Sequence, residues 1–534
     1  MAFDYVIAGG GSAGCVLAAR LSEDPDTTVC LIEAGGAGDS LLIRVPILGA
    51  AMISGRPRIN NWAFQTVPQP QLGHRKGYQP RGRVLGGSSA INAMLYVRGH
   101  PGDYDDWADM GCDGWDWQSV LPYFRKAENN IRGADGLHGG DGPLQVRDQA
   151  DPRALTDAFV EACTTQQIRR TDDFNGPEQE GAGLYQVTQF HKGKRLGQRC
   201  SAAAAYLRAV RARPNLTILT RAMAEKVVFD GTRATGVQYR RRGRSEVAEA
   251  RRDVILSGGA FGSPQLLMLS GIGPRDELAA QGIELRHELP GVGQNLQDHL
   301  DYTLAYRSPR KDMLALNPRG FWDIGRAAFD WRRKNGGALS SPFAEGGAFF
   351  KSDPGQPRPD MQLHFVIGIL DQHLRKLHFS HGYSCHVCVL RPHSRGHVGL
   401  NSPRPGDAPR IDPAFLSDPR DLADLKKGAR ILEDIMQSAP LAPWRGQRLY
   451  PHDGSDAALE ADIRARSDTI YHPVGTCRMG TDEMAVTDAE GRVHGLRSLR
   501  VIDASLMPTL VGGNTNAPTI MIAEKLADAI RTGR

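Results

Sequence analysis

Asp4-Tyr5-Val6-Ile7-Ala8-Gly9-Gly10-Gly11-Ser12-Ala13-Gly14 opens the chain and sets the frame for everything after it. Asp4 to Ala8 is a short apolar strand that runs straight into a G-x-G-x-x-G turn. Ala13 to Leu21 follows as a helical stretch, with Val16, Leu17 and Leu21 on one face and Ala18 and Ala19 beside it. Thr28-Val29-Cys30-Leu31-Ile32 reads as a second strand and ends at Glu33, followed by Ala34. In a unit of this order Gly9 allows the tight turn, Gly11 lets the backbone approach a pyrophosphate, and Gly14 lets helix and strand pack closely. The N–H groups of the helix start, at Ser12 and Ala13, suit phosphate, and Glu33 stands at the interval of about 20 residues where an acid takes a ribose hydroxyl pair. A glycine-rich turn in an ordinary α/β unit would share the glycines. Strand, helix and acid in register favour a dinucleotide site, without distinguishing NAD from FAD.

The 534 residues are 40% hydrophobic and 23% charged, which fits a globular chain with ample core and room for more than one domain. Net charge is +5, and no Lys/Arg cluster is interleaved with aromatics, so no nucleic-acid partner is expected. The densest basic run, Arg240-Arg241-Arg242 with Arg244, lies between two strands and reads as a solvated hairpin loop. The N-terminus enters a strand at once, and no stretch reaches the ~18 apolar residues that span a bilayer. The expectation is a cytoplasmic protein, with peripheral contact at the inner face of the membrane left open. The eight cysteines form no disulfide framework. Cys385 and Cys388 are formally C-x-x-C, but they lie in the extended run Tyr383 to Leu390, where residues i and i+3 face opposite sides of a sheet. No second pair completes a zinc site, so no metal is expected.

Further along, the turn-rich apolar stretch through Gly55 reads as a loop, with a lid or membrane-touching element as the other reading. Trp115 to Asn129 has a helical pattern, and Arg195 to Arg211, with four consecutive alanines, is a good helix former. Strands are expected at Asn215 to Leu219, Ala224 to Phe229, Thr235 to Tyr239 and Asp253 to Ser257. From His299 to about residue 465, strands such as Met361 to Val366 and Tyr383 to Leu390 alternate with helices such as Asp421 to Ser438. Glu345, in an apolar and glycine-rich setting, either caps a turn or lines a substrate pocket. Arg500 to Ser505 reads as a strand. Gly512-Gly513-Asn514-Thr515-Asn516-Ala517-Pro518-Thr519 opens a last helix, Ile520 to Ile530, with Pro518 suited to the helix start.

Three long motifs stand out: Gly82-Arg83-Val84-Leu85-Gly86-Gly87-Ser88-Ser89-Ala90-Ile91-Asn92-Ala93-Met94-Leu95, then Gly259-Ala260-Phe261-Gly262-Ser263-Pro264-Gln265 to Gly273, then Pro290-Gly291-Val292-Gly293-Gln294-Asn295-Leu296-Gln297-Asp298-His299. With Tyr471-His472-Pro473-Val474-Gly475-Thr476 and the Asn514 loop they resemble, over nearly the whole chain, the glucose-methanol-choline (GMC) family of flavin oxidoreductases. The resemblance implies a mixed α/β fold: a Rossmann-like FAD-binding domain (1–155, 192–300, 465–534) and a substrate-binding domain on an antiparallel sheet with helices (156–191, 301–464). It implies FAD, held by Gly9, Gly11, Ser12, Ala13, Gly14, Glu33, Ala34, Trp62, Val84, Gly86, Gly87, Ser89, Asn92, Ala93, Met94, Leu95, Ala224, Asp503, Ala504, Thr515 and Asn516. Members with covalent FAD carry a histidine two places after the paired serines; Ile91 stands there, so the FAD is expected to be non-covalent.

Carried over by position, His472 and Asn514 are the catalytic pair that flanks the flavin's reactive face. A neutral imidazole suits removal of the alcohol proton, and an amide donor suits the developing alkoxide. The expected reaction is oxidation of a primary alcohol, aliphatic or aromatic, to the aldehyde, with electrons passing to a quinone-type acceptor. Choline dehydrogenase, or an oxygen-using alcohol oxidase of the family, is the alternative. A nicotinamide-dependent dehydrogenase would share the opening unit but not the later motifs. A lyase, a photoenzyme or a non-catalytic flavoprotein would not need the His472–Asn514 pair.

Overall fold

A computed structural model describes residues 2–533 other than 319, 321, 323–324, 328–330 and 332–337. Strand Ala2–Ala8 lies inside a sheet ordered Leu216–Thr220, Val29–Glu33, Ala2–Ala8, Arg244–Leu256, Arg233–Arg241, Ala222–Asp230, with Leu499–Val501 added to Arg244–Leu256. The pairings of Ala2–Ala8, Val29–Glu33, Leu216–Thr220 and Leu499–Val501 are parallel, so these strands end at one edge, where a ligand crevice forms. Tyr5, Ile7, Val29 and Leu31 enter the core under helices Ser12–Leu21 and Asn516–Thr532. Val6, Ala8, Cys30 and Ile32 enter the core under Gly259–Leu269. The period of two on a sheet covered on both faces explains why these strands read as unbroken apolar runs.

A second sheet is antiparallel throughout: Asp468–Thr469, Leu300–Arg307, Gly382–Val389, Met361–Val366, Ala344–Phe350, Gly181–Leu184. Met361, Leu363, Phe365, Cys385 and Val387 pack against Leu425, Ala429 and Leu432 of helix Pro419–Gln437, which Asp418 caps. The alternate residues Gln362, His364, His386 and Cys388 face the other way. Cys385 and Cys388 therefore end in different cores, as their spacing on a strand requires.

The hairpin at Arg242-Gly243 joins Arg233–Arg241 to Arg244–Leu256 as expected. Other elements differ in extent. The strand expected over Arg500 to Ser505 is Leu499–Val501, after which Asp503 caps a short 3-10 turn, Ala504–Leu506. The helix expected over Arg195 to Arg211 begins only at Ala202 and carries a π-turn, Ala203–Leu207. Tertiary bonds override the local propensity. Arg199 N–H donates to the Arg44 carbonyl, and Cys200 N–H donates to that of Thr188. Among the described residues no helix is long and apolar enough to cross a membrane.

Candidate active site

The glycine turn sorts its three glycines by what surrounds each. Gly9 has φ +114°, and a Cβ there would lie 2.3 Å from the Ser257 carbonyl oxygen. A Cβ on Gly14 would lie 1.9 Å from the Gly9 carbonyl oxygen, so helix and strand touch through that hydrogen. Gly11 differs: a Cβ there meets nothing closer than 3.9 Å, and its bare Cα faces a cavity of about 930 Å³. Glu33 is buried and closes the turn. Its carboxylate accepts from Gly10 N–H at 2.9 Å and Gly35 N–H at 2.7 Å, while burial raises its pKa. Ser12 Oγ donates to Asn516 Oδ1 at 2.8 Å, so the starts of the first and last helices meet beside the same cavity.

The cavity runs from Gly9, Gly11, Ser12, Ala13, Glu33, Ala34 and Ala224, past Trp62, Gly87, Asn92, Ala93, Met94, Leu95, Asp503, Ala504, Thr515 and Asn516, to His472 and Asn514. Four of the residues expected to hold cofactor stand behind its wall. Gly14 is the helix contact, and Val84 and Gly86 shape the serine loop. Ser89 Oγ donates to the Gly86 carbonyl and accepts from Ala202 N–H. Asp503 lines the cavity but is engaged by Gly259 N–H, Ser263 Oγ and Ser505, which tie the second motif to the C-terminal segment. Trp62 stacks on Phe64 at 5.5 Å, with the Arg83 guanidinium 4.5 Å over its ring. An open Cα over a helix start, a buried acid beside it and one continuous cavity fit an extended dinucleotide such as FAD.

At the far end a directional hydrogen-bond chain surrounds His472. His299 Nε2 lies 3.0 Å from the Leu390 carbonyl, which can only accept, so His299 carries its proton there. Its Nδ1 is then an acceptor, 2.9 Å from His472 Nδ1, which must donate. That leaves His472 Nε2 with a lone pair, 3.1 Å from the Asn514 amide nitrogen. The amide is oriented in turn, because Gln362 Nε2 donates to Asn514 Oδ1 at 3.2 Å and to the Tyr185 hydroxyl at 3.0 Å. Tyr185 donates to the Leu363 carbonyl at 2.7 Å. Reversing the tautomers would set donor against donor or lone pair against lone pair; at about 1–3 kcal/mol per unmet buried group, this one arrangement dominates.

The same burial keeps the chain neutral. His299 is pushed down to about 4 by burial. His472 is held well below the usual imidazole range by burial first, then by the nearby His299, His364 and Arg81. Its backbone is fixed as well. His472 N–H donates to Asp298 Oδ1 at 2.9 Å, and Asp298, also bonded to Gln79 and Thr469, is pushed up to about 6 by burial. Tyr471, at φ +77°, is a bulky residue in the left-handed region, held by Arg81 on its carbonyl and Thr469 on its N–H.

Sequence reasoning found His472 and Asn514 but gave no role to His299, Gln362, Asp298 or Arg81. His299 and Asp298 sit in a motif quoted above; nothing in the spacing showed that they reach His472. Glu345 resolves as a cap. Its carboxylate accepts from Arg153 N–H, Thr156 Oγ1 and Ser341 Oγ at the start of helix Ala154–Thr164, and it does not line the cavity.

Two family models described as GMC oxidoreductase match the chain, over residues 3–301 and 392–523. The chain belongs to the GMC oxidoreductase family. GMC oxidoreductases are FAD-binding flavoproteins, in agreement with the cavity. The chain is 48% identical to an alcohol dehydrogenase (acceptor) of Pseudomonas putida, over 99% of this chain and 95% of that one. It is 44% identical to the mitochondrial choline dehydrogenase of Mus musculus, over 99% and 89%. Among solved structures, pyridoxine 4-oxidase from Mesorbium loti superposes with a TM-score of 0.89 at 34% identity, covering 99% of both chains. The likeness in fold thus covers 99% of the chain.

Proposed function

We propose that this GMC oxidoreductase oxidises a primary alcohol, aliphatic or aromatic, to its aldehyde, with His472 as the base and Asn514 as the hydroxyl-orienting donor. The observation that carries the reading is an imidazole acceptor, His472 Nε2, at the cavity wall, whose partner is an amide donor 3.1 Å away that also lines the cavity. An alcohol oxygen that sits against both nitrogens and replaces their mutual hydrogen bond gives its proton to Nε2 and accepts from Asn514 Nδ2 as negative charge develops. His472 Nδ1–H, held by His299, keeps the ring from turning as the proton arrives. FAD, when bound, supplies the hydride acceptor. Backbone at Gly11 to Ala13, with Glu33 and the segment Asn92 to Leu95, would hold it. The buried alkyl side chain of Ile91 offers no atom for a covalent flavin bond, so the FAD is dissociable on this reading. The division of the chain into 1–155, 192–300 and 465–534 for FAD and 156–191 and 301–464 for substrate is part of the same proposal. Pairing of Gly181–Leu184 with the second sheet supports it.

Among the described residues, the carboxylates lining the cavity are Glu33, Asp407 and Asp503, on the sheet-and-glycine side, while Met94, Phe343, Val366, Ile369 and Ile470 give an apolar wall. A quaternary ammonium at His472 would find no lining carboxylate, only aromatic faces such as Phe343 and Tyr471, whereas an uncharged alcohol needs neither. Similarity to the alcohol dehydrogenase (acceptor) of Pseudomonas putida supports a quinone-type electron acceptor in place of oxygen. Anaerobic mixing with straight-chain primary alcohols, benzyl alcohol and choline, followed by loss of oxidised-flavin absorbance, tests the reading. Primary alcohols are expected to reduce the flavin faster than choline. Choline as the best reductant, or no reduction by any alcohol, would overturn it.

A further inference from the structure

Arg199 is a buried cation with no buried anion. Its side chain is 2% exposed, makes no ion pair with any described residue, and is bonded only to neutral oxygens. Nε donates to the Ile43 carbonyl at 3.1 Å. Nη1 donates to the Asn92 carbonyl at 2.6 Å and Asn92 Oδ1 at 2.8 Å, with Ser89 O farther off at 3.4 Å. Nη2 donates to none of the described residues; it lies where a Cβ on Gly49 would come within 2.5 Å of it, and both Gly49 and Arg199 line the cavity. Burial alone lowers its pKa, to about 9, and no carboxylate acts against that. A guanidinium taken out of water without a counter-charge is costly, and an anion that arrives with a ligand would offset that cost.

The neighbouring side chain makes a second, independent case. Asn92 Oδ1 is saturated by Arg199 Nη1 and by Met94 N–H at 3.0 Å. Its amide nitrogen therefore faces away from them, and it donates to no described residue although Asn92 lines the cavity. A guanidinium and an aligned amide donor thus share one corner of the wall. That corner adjoins the glycine turn, because the loop Gly87–Ala90 that precedes it packs on Gly11, where a Cβ on Gly87 would lie 2.7 Å from the Gly11 Cα.

We infer that Arg199, with Asn92, forms an oxyanion subsite of the cofactor cavity and is the fixed counter-charge for the diphosphate of FAD. The inference rests on the cavity being the FAD site and needs nothing from the identity of the alcohol. The phosphate groups are neutralised by a side chain from residue 199 as well as by helix N–H groups. The apoprotein carries the unpaired charge until the cofactor binds.

Binding of FAD, riboflavin and inorganic pyrophosphate to FAD-depleted full-length protein, by flavin fluorescence and by titration calorimetry, tests this in wild type, Arg199→Gln and Arg199→Lys. Gln keeps a donor for the Ile43 and Asn92 carbonyls but loses the charge; Lys keeps the charge. Arg199→Gln is expected to weaken FAD by at least about 30-fold and pyrophosphate in parallel, the reach of a desolvated charge contact. Riboflavin, which has no phosphate, should change less than about threefold. Arg199→Lys should recover most of the loss. The melting temperature of the FAD-free Gln variant should equal or exceed that of wild type, with a smaller rise on adding FAD. Equal weakening of FAD and riboflavin, equal loss in Gln and Lys, FAD affinity unchanged in Arg199→Gln, or a fall in the FAD-free melting temperature would each overturn the proposal. Alcohol-driven flavin reduction by the wild type is a separate readout, so failure of the alcohol reading and failure of this one are told apart.

Discussion

At the glycine-turn end of the cavity the framework that faces a ligand is backbone N–H groups, a bare Cα and one acid from residues 9–35, with the Arg199 and Asn92 side chains at its edge. At the His472 end they are side chains drawn from residues 299, 362, 472 and 514, which meet only in three dimensions. The first end works by the absence of atoms: Gly9 and Gly14 exclude a Cβ, and Gly11 leaves space for phosphate. The second works by direction: each hydrogen bond fixes the donor or acceptor role of the next, from the Leu390 carbonyl through His472 and Asn514 to the Leu363 carbonyl. Steric sites fail all at once when an atom is added. Directional sites fail in proportion to the bond removed.

That contrast orders the expected effects. Gly14→Ala puts a methyl 1.9 Å from the Gly9 carbonyl oxygen and parts the turn, so purified protein should carry no FAD; a wild-type ratio of 450 nm to 280 nm absorbance would show that the turn is not steric. Asn514→Ala removes the donor to the developing alkoxide and should slow anaerobic flavin reduction by about 10²–10³ with FAD still bound, measured by stopped-flow. His299→Leu frees His472 Nδ1–H and should slow reduction about tenfold, the value of one buried bond. It also removes one of the groups that depress the His472 pKa.

The pH dependence follows from the same groups. A base must be neutral, and burial holds the His472 pKa well below the ordinary 6.5, so protonation sets in only at lower pH. Wild-type reduction rate should stay level as pH falls through 6.5 and drop only below that. A wild-type inflection at 6.5 or above would mean that the imidazole is not insulated by its neighbours.

The two ends were also unequally legible. Gly9 to Glu33 could be read because a strand, a turn, a helix start and an acid are adjacent in sequence, and their spacing is their geometry. The antiparallel alternation at 361–366 and 382–389 was likewise local, and with it the divergence of Cys385 and Cys388. His472 and Asn514 came only from resemblance to a family, since one histidine among 16 carries no signal of its own. The partners that fix their roles, His299 and Gln362, lie 173 and 152 residues away along the chain. Arg199 was hidden for another reason. Its neighbourhood reads as a helix former, and only the tertiary bonds at Arg44 and Asn92 show an extended segment with a buried cation.

His472 Nε2 is the proton acceptor on which the proposed alcohol oxidation depends. The most direct measurement is anaerobic single-turnover reduction of the FAD-loaded enzyme by a saturating primary alcohol, compared between wild type and His472→Ala at one pH. A fall of roughly 10²–10⁴ in the reduction rate constant is expected, with FAD content unchanged. A rate constant within a few-fold of wild type would contradict it.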